Sequence, residues 1–241
     1  MRRLPPATRP GSLVQVLLVF VVGFVVVFVG WRVVGEGAFL RQVVVWVANV
    51  AMLGAVWIGL RVRGQGWRHL GLSFRFVGLR GLARTVARSV AVLVAALAAF
   101  VAGSVLMSAF ATSPAAADTS GYEYLQGNLP MLLLALAMIY PVSSFGEEVI
   151  YRGFLMTRIA EAGRGTRAAW GAALAISAVV FGLAHFGWGL VGIVQTTFMG
   201  LALGASYLLV GRNLWVLVLA HAFMDTLLLV QIYLTPTGSA G

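Results

Sequence analysis

The sequence predicts an all-α protein, a polytopic bundle of about seven transmembrane helices (seven or eight). Hydrophobic residues make up 61% of its 241 residues and charged residues only 10%, whereas a soluble domain usually carries about 25% charged residues. The mean hydropathy is +0.96. Apolar runs of about 20 residues, the length that crosses a bilayer as a helix, recur along the chain. These observations exclude the soluble fold classes.

Seven apolar runs are predicted to span the membrane. The first follows Arg2, Arg3 and Arg9, and it is too long for a signal peptide, so we predict that it is an anchor. The fourth is expected to continue as a helix to about Glu161, and tilt or a break near Pro141 or Gly146 could adjust the depth of its charged residues. The predicted spans are residues 12–31, 40–60, 86–110, 129–150, 169–187, 189–210 and 213–234.

The spans divide into an N-terminal part, 1–128, a part that carries the charged residues, 129–234, and a short disordered tail, 235–241. Residues 111–120 are rich in small and polar residues and are predicted to be a flexible loop. The loop after the second span interleaves arginines with apolar side chains, a pattern typical of contact with lipid headgroups. Its apolar residues are Trp67, Leu70, Leu72, Phe74, Phe76 and Leu79.

The net charge of +10 comes from 17 basic residues, all arginine. Alternate loops place nearly all of them on one side, which predicts a cell-membrane protein with a cytoplasmic N-terminus and, with seven spans, a C-terminus outside. No aromatic and basic platform for nucleic acid accompanies the charge.

The preference for arginine over lysine is typical of a GC-rich genome and therefore indicates a prokaryote. The chain has no cysteine, which excludes disulfides and a thiol nucleophile.

Five ionisable residues lie inside or beside predicted spans, where an unpaired charge costs several kcal/mol. They are Glu147, Glu148, His185, His221 and Asp225. Such residues usually pair with one another or line a wet cavity, so we treat them as candidates for a functional site. Depth along the helices, at about 1.5 Å per residue, allows all five to meet near the middle of the membrane, although His185 fits least well.

The pattern Glu147-Glu148-Val-Ile-Tyr-Arg152 places two carboxylates side by side on one helix. Glu148 and Arg152 are four residues apart and are expected to pair. Glu147 is rotated by about 100° from Glu148 and can face a different space. Adjacent carboxylates in different environments are a common arrangement for acid and base catalysis. A charge cluster at a helix end would give the same local pattern.

Two further motifs carry histidines. Phe181 and His185 are four residues apart and share one helix face, as do His221 and Asp225. A carboxylate one turn from a histidine can orient the ring or stabilise its charge. Each motif alone is equally consistent with packing or with a hydrogen bond between helices.

Taken in order, EEVIYR at 147–152, FGLAH at 181–185 and HAFMD at 221–225 resemble the CAAX-protease and bacteriocin-processing family. The resemblance covers roughly residues 129–230. It implies an intramembrane glutamic endopeptidase without a cofactor that cleaves a membrane-associated protein or peptide, as eukaryotic members do after prenylation. It further implies that Glu147 and His185 activate water, that His221 and Asp225 stabilise the oxyanion, and that Glu148, Arg152 and Phe181 support the site.

The last motif departs from the family pattern, because Asp225 occupies a position that is asparagine in better-known members. An amide donates a hydrogen bond to an oxyanion, and an ionised carboxylate does not. Asp225 is therefore expected to be protonated, to act through water, or to orient His221.

Three other functions fit parts of the pattern. Glu147, His185 and His221 could bind zinc, although no H-E-x-x-H helix is present. A scaffold or bacteriocin-immunity protein could keep the same residues as polar helix contacts. A transporter could use the carboxylates as a proton relay, but the other spans carry few polar groups. Ser143 and Ser144 precede the glutamates, but no G-x-S-x-G elbow marks them as nucleophiles.

Overall fold

The structure, a computed structural model, describes residues 9–73, 78–110 and 117–236. This part of the chain is 87% helical and contains no strand. Seven of its helices are long and apolar enough to cross a membrane, which confirms the predicted fold class and number of spans. They are α1 (Arg9–Val34), α2 (Ala38–Val62), α3 (Gly78–Ser108), α4 (Leu129–Ala162), α5 (Arg167–Ala184), α6 (Gly189–Leu209) and α7 (Leu214–Leu234).

Helix α4 is the longest span and runs through the middle of the candidate site. Asn128 caps its start by accepting a hydrogen bond from the Met131 amide at 3.3 Å. The helix does not break near Pro141 or Gly146. The helix instead widens into π-helical turns at Tyr140–Ser144 and Glu148–Leu155. A wider turn accommodates the missing proline N–H without ending the helix, and such π segments are frequent at functional sites.

Helix α3 begins at Gly78 rather than at residue 86, so Arg80 and Arg84, which were predicted to lie in a loop, belong to a helix. Its 31 residues give a length of about 46 Å, longer than the hydrocarbon core of about 30 Å. Arg80, Arg84 and Arg88 are exposed on this extension, whereas Thr85 and Ser89 on another face are buried. The arginines can therefore reach the headgroup region while the helix stays packed.

The loop after α2 packs into the bundle more than its sequence predicts. Leu70 is fully buried and Leu72 is nearly so, which corrects their expected place among lipid headgroups. The Leu70 carbonyl accepts a hydrogen bond from the Tyr207 hydroxyl at 2.9 Å, and the Gly71 carbonyl accepts one from the Leu214 amide at 3.3 Å. The predictions for Phe74, Phe76, residues 111–116 and residues 237–241 lie outside the described residues.

Gly71→Ala should destabilise the protein by about 2 kcal/mol or more. Gly71 has a φ of +96°, and an added Cβ would lie 2.0 Å from the carbonyl oxygen of Arg212. Backbone atoms cannot move aside as the end of a flexible side chain can. The loop would therefore separate from α6 and α7. Thermal unfolding in detergent would measure the loss. Gly66→Ala is the matched control because its φ is −129° and no atom lies within 4 Å of the added Cβ. Equal melting temperatures for the two variants would contradict the prediction.

Glu161 lies at the centre of a buried charge cluster, which the sequence indicated only as a helix-end residue. Its carboxylate accepts hydrogen bonds from Arg158 at 2.9 Å, Arg63 at 3.1 Å and Ser12 at 3.2 Å, and lies 2.8 Å from His69. Arg158 is fully buried within α4. The cluster joins α1, α2 and α4, and it therefore ties the N-terminal part of the chain to the part that carries the charged motifs.

Candidate active site

The three sequence motifs meet in the interior of the bundle, between α4, the end of α5, and α7. Glu148 is fully buried and is the shared partner of Arg152 and His221. Arg152 Nη1 donates to Glu148 Oε1 at 2.7 Å, which confirms the predicted pair, and His221 Nδ1 lies 2.8 Å from the same oxygen. Because a carboxylate oxygen accepts, His221 donates through Nδ1, and its Nε2 is left facing the other charged residues.

Phe181 is the apolar side chain against which the other groups of the site pack. Its ring is fully buried, with the Arg152 guanidinium 4.2 Å above its centroid. The same ring meets His185 at 4.7 Å and His221 at 6.1 Å between centroids. One phenylalanine thus contacts the guanidinium and both histidines, which fixes the separation of the two imidazoles.

His185 ends α5 instead of lying within it, which explains its poor fit to the depth estimate. The helix has only 18 residues, and the chain turns back into the bundle through Phe186–Trp188. His185 Nδ1 donates to the Phe181 carbonyl at 2.8 Å, and the ring packs against Trp188 at 5.1 Å. With Nδ1 protonated in the neutral ring, Nε2 is a hydrogen-bond acceptor.

Glu147 lies beside the buried pair but in a different environment, as its rotation around the helix predicts. Its side chain is 13% exposed, and its Oε2 lies 3.9 Å from His221 Nε2. Its Oε1 accepts a hydrogen bond of 3.4 Å from Asn49 of α2. No hydrogen bond or ion pair joins Glu147 to His185, both of which lie in the described part of the chain. The expected pair can therefore act together only through a bridging molecule such as water.

Asp225 faces the opposite side of His221 from Glu148. Its Oδ1 lies 3.7 Å from His221 Nε2, and its Oδ2 accepts a 2.5 Å hydrogen bond from the Ser144 hydroxyl. The predicted proximity of His221 and Asp225 on one helix face is therefore present. The ring nitrogen Nε2 lies within 4 Å of both Glu147 and Asp225.

Asn49 and Ser144 are members of this site that the motifs did not identify. Asn49 is an amide in the middle of an otherwise apolar span, a signal that could have suggested it. Ser144 lacks the motif of a nucleophile, and its hydroxyl donates a hydrogen bond to Asp225. The structure thus gives both residues the geometry of positioning groups.

The zinc hypothesis requires three ligands that converge. In the described ranges, no group of three His, Cys, Asp or Glu side chains is arranged to hold a metal ion. His221 is close to Glu147, but His185 is directed to the Phe181 carbonyl through Nδ1. Independence from metal stays a prediction and is tested below.

Residues 128–227 match the family model described as Type II CAAX prenyl endopeptidase Rce1-like. No curated protein and no solved structure matches the chain. The matched region contains the three motifs and every helix segment that forms the charged site, except Asn49 of α2. Through this C-terminal membrane region, the chain is similar to the CAAX-protease family, which supports the resemblance that the three motifs indicate.

Proposed function

We propose that the protein is a glutamate-dependent intramembrane endopeptidase that hydrolyses a peptide bond in a membrane-associated protein or peptide. The observation that carries this proposal is the position of Glu147. Its carboxylate is partly exposed within the bundle, is held by Asn49, and lies 3.9 Å from an imidazole nitrogen. A base must be accessible to water and close to groups that stabilise the developing charge.

In the proposed reaction, Glu147 accepts a proton from water as the water oxygen bonds to the scissile carbonyl carbon. Nε2 of His185 is the second acceptor that orients this water. The carbonyl oxygen becomes an oxyanion, and a protonated Nε2 of His221 donates a hydrogen bond to it. The tetrahedral intermediate then re-forms the C=O bond and breaks the C–N bond. The proton held by Glu147 passes to the leaving amine, which balances the step.

The buried residues around His221 hold its imidazole in the orientation that this reaction needs. Glu148 accepts from His221 Nδ1, and Arg152 holds Glu148, so the imidazole presents Nε2 to the cavity. Asp225 is more than hydrogen-bond distance from Nε2 and is fixed by Ser144. We assign Asp225 to orienting and electrostatic support of His221, because an ionised carboxylate has no proton to donate.

The substrate is proposed to be a membrane-associated protein or peptide because the reacting groups lie in helices that cross the bilayer. The arginine distribution supports a cell-membrane location with the N-terminus in the cytoplasm and the C-terminus outside. The complete preference for arginine supports a prokaryotic origin, which favours a peptide or anchored precursor over a prenylated protein.

Proteolysis of a fluorogenic peptide library by the purified protein in lipid nanodiscs tests the proposed function. We expect cleavage by the wild type, none by Glu147→Ala, and the same rate with and without a chelator. Cleavage that a chelator abolishes and zinc restores would replace the glutamate mechanism with the zinc mechanism. Cleavage that persists in Glu147→Ala would overturn both mechanisms. Absence of cleavage by the wild type would instead favour a scaffold or immunity role.

A further inference from the structure

Asn49 brings a side-chain amide from α2 into the candidate site. Helices α2 and α4 pack closely there, because a Cβ added to Gly146 would lie 3.3 Å from the end of the Leu53 side chain. Asn49 precedes Leu53 by one helical turn and shares its face, which places the amide beside Glu147. Asn49 is only 7% exposed. The packing of two helices therefore fixes this amide next to the proposed base.

The hydrogen bond between Asn49 and Glu147 leaves donor capacity in the amide. Nδ2 donates to Glu147 Oε1 at 3.4 Å, which is longer than the usual range of about 2.7–3.2 Å for N–H···O bonds. An amide nitrogen carries two N–H groups, and within the described residues this nitrogen bonds to no second acceptor. A long bond and a free N–H allow the amide to serve another acceptor during the reaction.

Two donors flank the carboxylate of Glu147. Asn49 Nδ2 approaches Oε1, and His221 Nε2 lies 3.9 Å from Oε2. In the proposed reaction Glu147 gains a proton as water attacks, so negative charge moves from this carboxylate to the carbonyl oxygen of the substrate. A donor bonds more strongly to a charged acceptor than to a neutral one. The movement of charge therefore favours transfer of the amide hydrogen bond from Glu147 to the oxyanion.

Other donors of the site are already used. The Arg152 guanidinium donates to Glu148. The Ser144 hydroxyl donates to Asp225, and Asp225 itself has no proton to donate when it is ionised. A further carboxylate next to an oxyanion would also repel it. Asn49 is a neutral donor that none of these bonds occupies, and it is therefore the group suited to bind the new charge.

We propose that the Asn49 amide donates a hydrogen bond to the substrate carbonyl oxygen and, together with His221, forms the oxyanion-binding site. This inference rests on the proposed peptidase function. It adds a catalytic residue from the N-terminal part of the chain, outside the family match and outside the three motifs. The C-terminal region then holds the base and one oxyanion donor, and α2 completes the site.

Asn49→Leu tests the proposal, and Gln42→Leu is its matched control on the same helix. Leucine fills a similar volume, suits a membrane helix and carries no donor. Loss of one oxyanion donor should lower kcat about 100-fold with little change in KM. Gln42 lies two turns earlier on the same face of α2, so its substitution also removes an amide but should change kcat less than about 3-fold.

The same assay separates failure of this inference from failure of the proposed function. If Glu147→Gln is inactive while Asn49→Leu and Gln42→Leu have equal kcat values, the inference is overturned and the proposed function stands. If the wild type cleaves no peptide, the proposed function is overturned and the oxyanion role of Asn49 falls with it. Melting temperatures recorded in parallel show whether Asn49→Leu is folded.

The Asp225→Asn background distinguishes an oxyanion donor from a residue that only positions Glu147. Asp225 Oδ1 lies 3.7 Å from His221 Nε2, so an amide at this position can donate to the oxyanion that His221 binds. The loss of kcat caused by Asn49→Leu should therefore be several-fold smaller in this background than in the wild type. A loss at least as large in both backgrounds would indicate that Asn49 acts only through Glu147, and would overturn the proposal.

An activity-independent measurement tests the contact on which the inference stands. The chain has three asparagines, and the side chains of Asn128 and Asn213 cap helices α4 and α7. In protein labelled with 15N at the asparagine side chains, the Asn49 signal is identified by its loss in Asn49→Leu. Glu147→Gln should shift this signal and leave the signals of Asn128 and Asn213 in place. Absence of the shift would reject the placement of Asn49, and with it the proposal, even in an active enzyme.

Discussion

Glu147→Gln should lower kcat for peptide cleavage by about 10³-fold, in the range expected for removal of a general base. Glutamine has nearly the same shape and can still accept from Asn49, so the bundle should remain folded. The glutamine amide cannot take a proton from water, so the substitution removes only the base function of the side chain. The measurement is the initial rate on the best library peptide, at saturating substrate, with melting temperature recorded in parallel.

Glu36→Gln is the matched control for this prediction. Glu36 is an exposed glutamate in the turn between α1 and α2, far along the chain from the motifs. Its substitution removes the same charge but should leave kcat within about 2-fold, because surface changes away from special contacts have small effects. A Glu147→Gln protein that cleaves at more than a tenth of the wild-type rate would exclude Glu147 as the base.

Arg152→Met should destabilise the folded protein by about 3–5 kcal/mol, because it leaves the buried charge of Glu148 without its partner. Both side chains are fully buried, and the 2.7 Å bond between them is the closest contact of Glu148. The substitution also removes the cation above the Phe181 ring. Thermal unfolding in detergent should show a large drop in melting temperature and a reduced yield of folded protein.

The double variant Arg152→Met with Glu148→Gln separates stability from activity. Removal of both charges removes the uncompensated carboxylate, so the melting temperature should recover most of the loss. Activity should stay low, because His221 Nδ1 then donates to a neutral amide and its orienting carboxylate is gone. A double variant as unstable as Arg152→Met would contradict the assignment of the loss to charge. Arg167→Met, at an exposed arginine, should cost less than about 0.5 kcal/mol.

The membrane fold was predictable because the hydrophobicity that produces it is a property of single chain segments. Backbone groups in hydrocarbon must bond internally, so each long apolar run can only be a helix. All seven predicted spans are present, and the fourth continues beyond residue 150 as expected. The errors in the predicted spans lie at the ends of the helices. Helix α3 begins at Gly78, before its predicted start, and the burial of Thr85 and Ser89 near this end depends on neighbouring helices.

The candidate site was predictable as a set of residues and not as a set of contacts. Burial of an ionisable group in an apolar membrane helix is unfavourable in free energy. Glu147, His185, His221 and Asp225 can therefore be recognised as unusual from the sequence alone. The pair of Glu148 and Arg152 follows from helical spacing alone. The shared use of Glu148 by His221, 73 residues away, depends on how α4 packs against α7.

By itself, the sequence determined the class of protein, its spans, the pair at 148 and 152, and the residues of the three motifs. Only the tertiary structure decided that Asn49 holds Glu147, that Ser144 binds Asp225, and that Glu161 joins three helices. The physical reason is the range of the interactions. Hydrophobicity and helical period act within one segment, whereas these hydrogen bonds join segments whose distance in space is set by packing of the whole bundle.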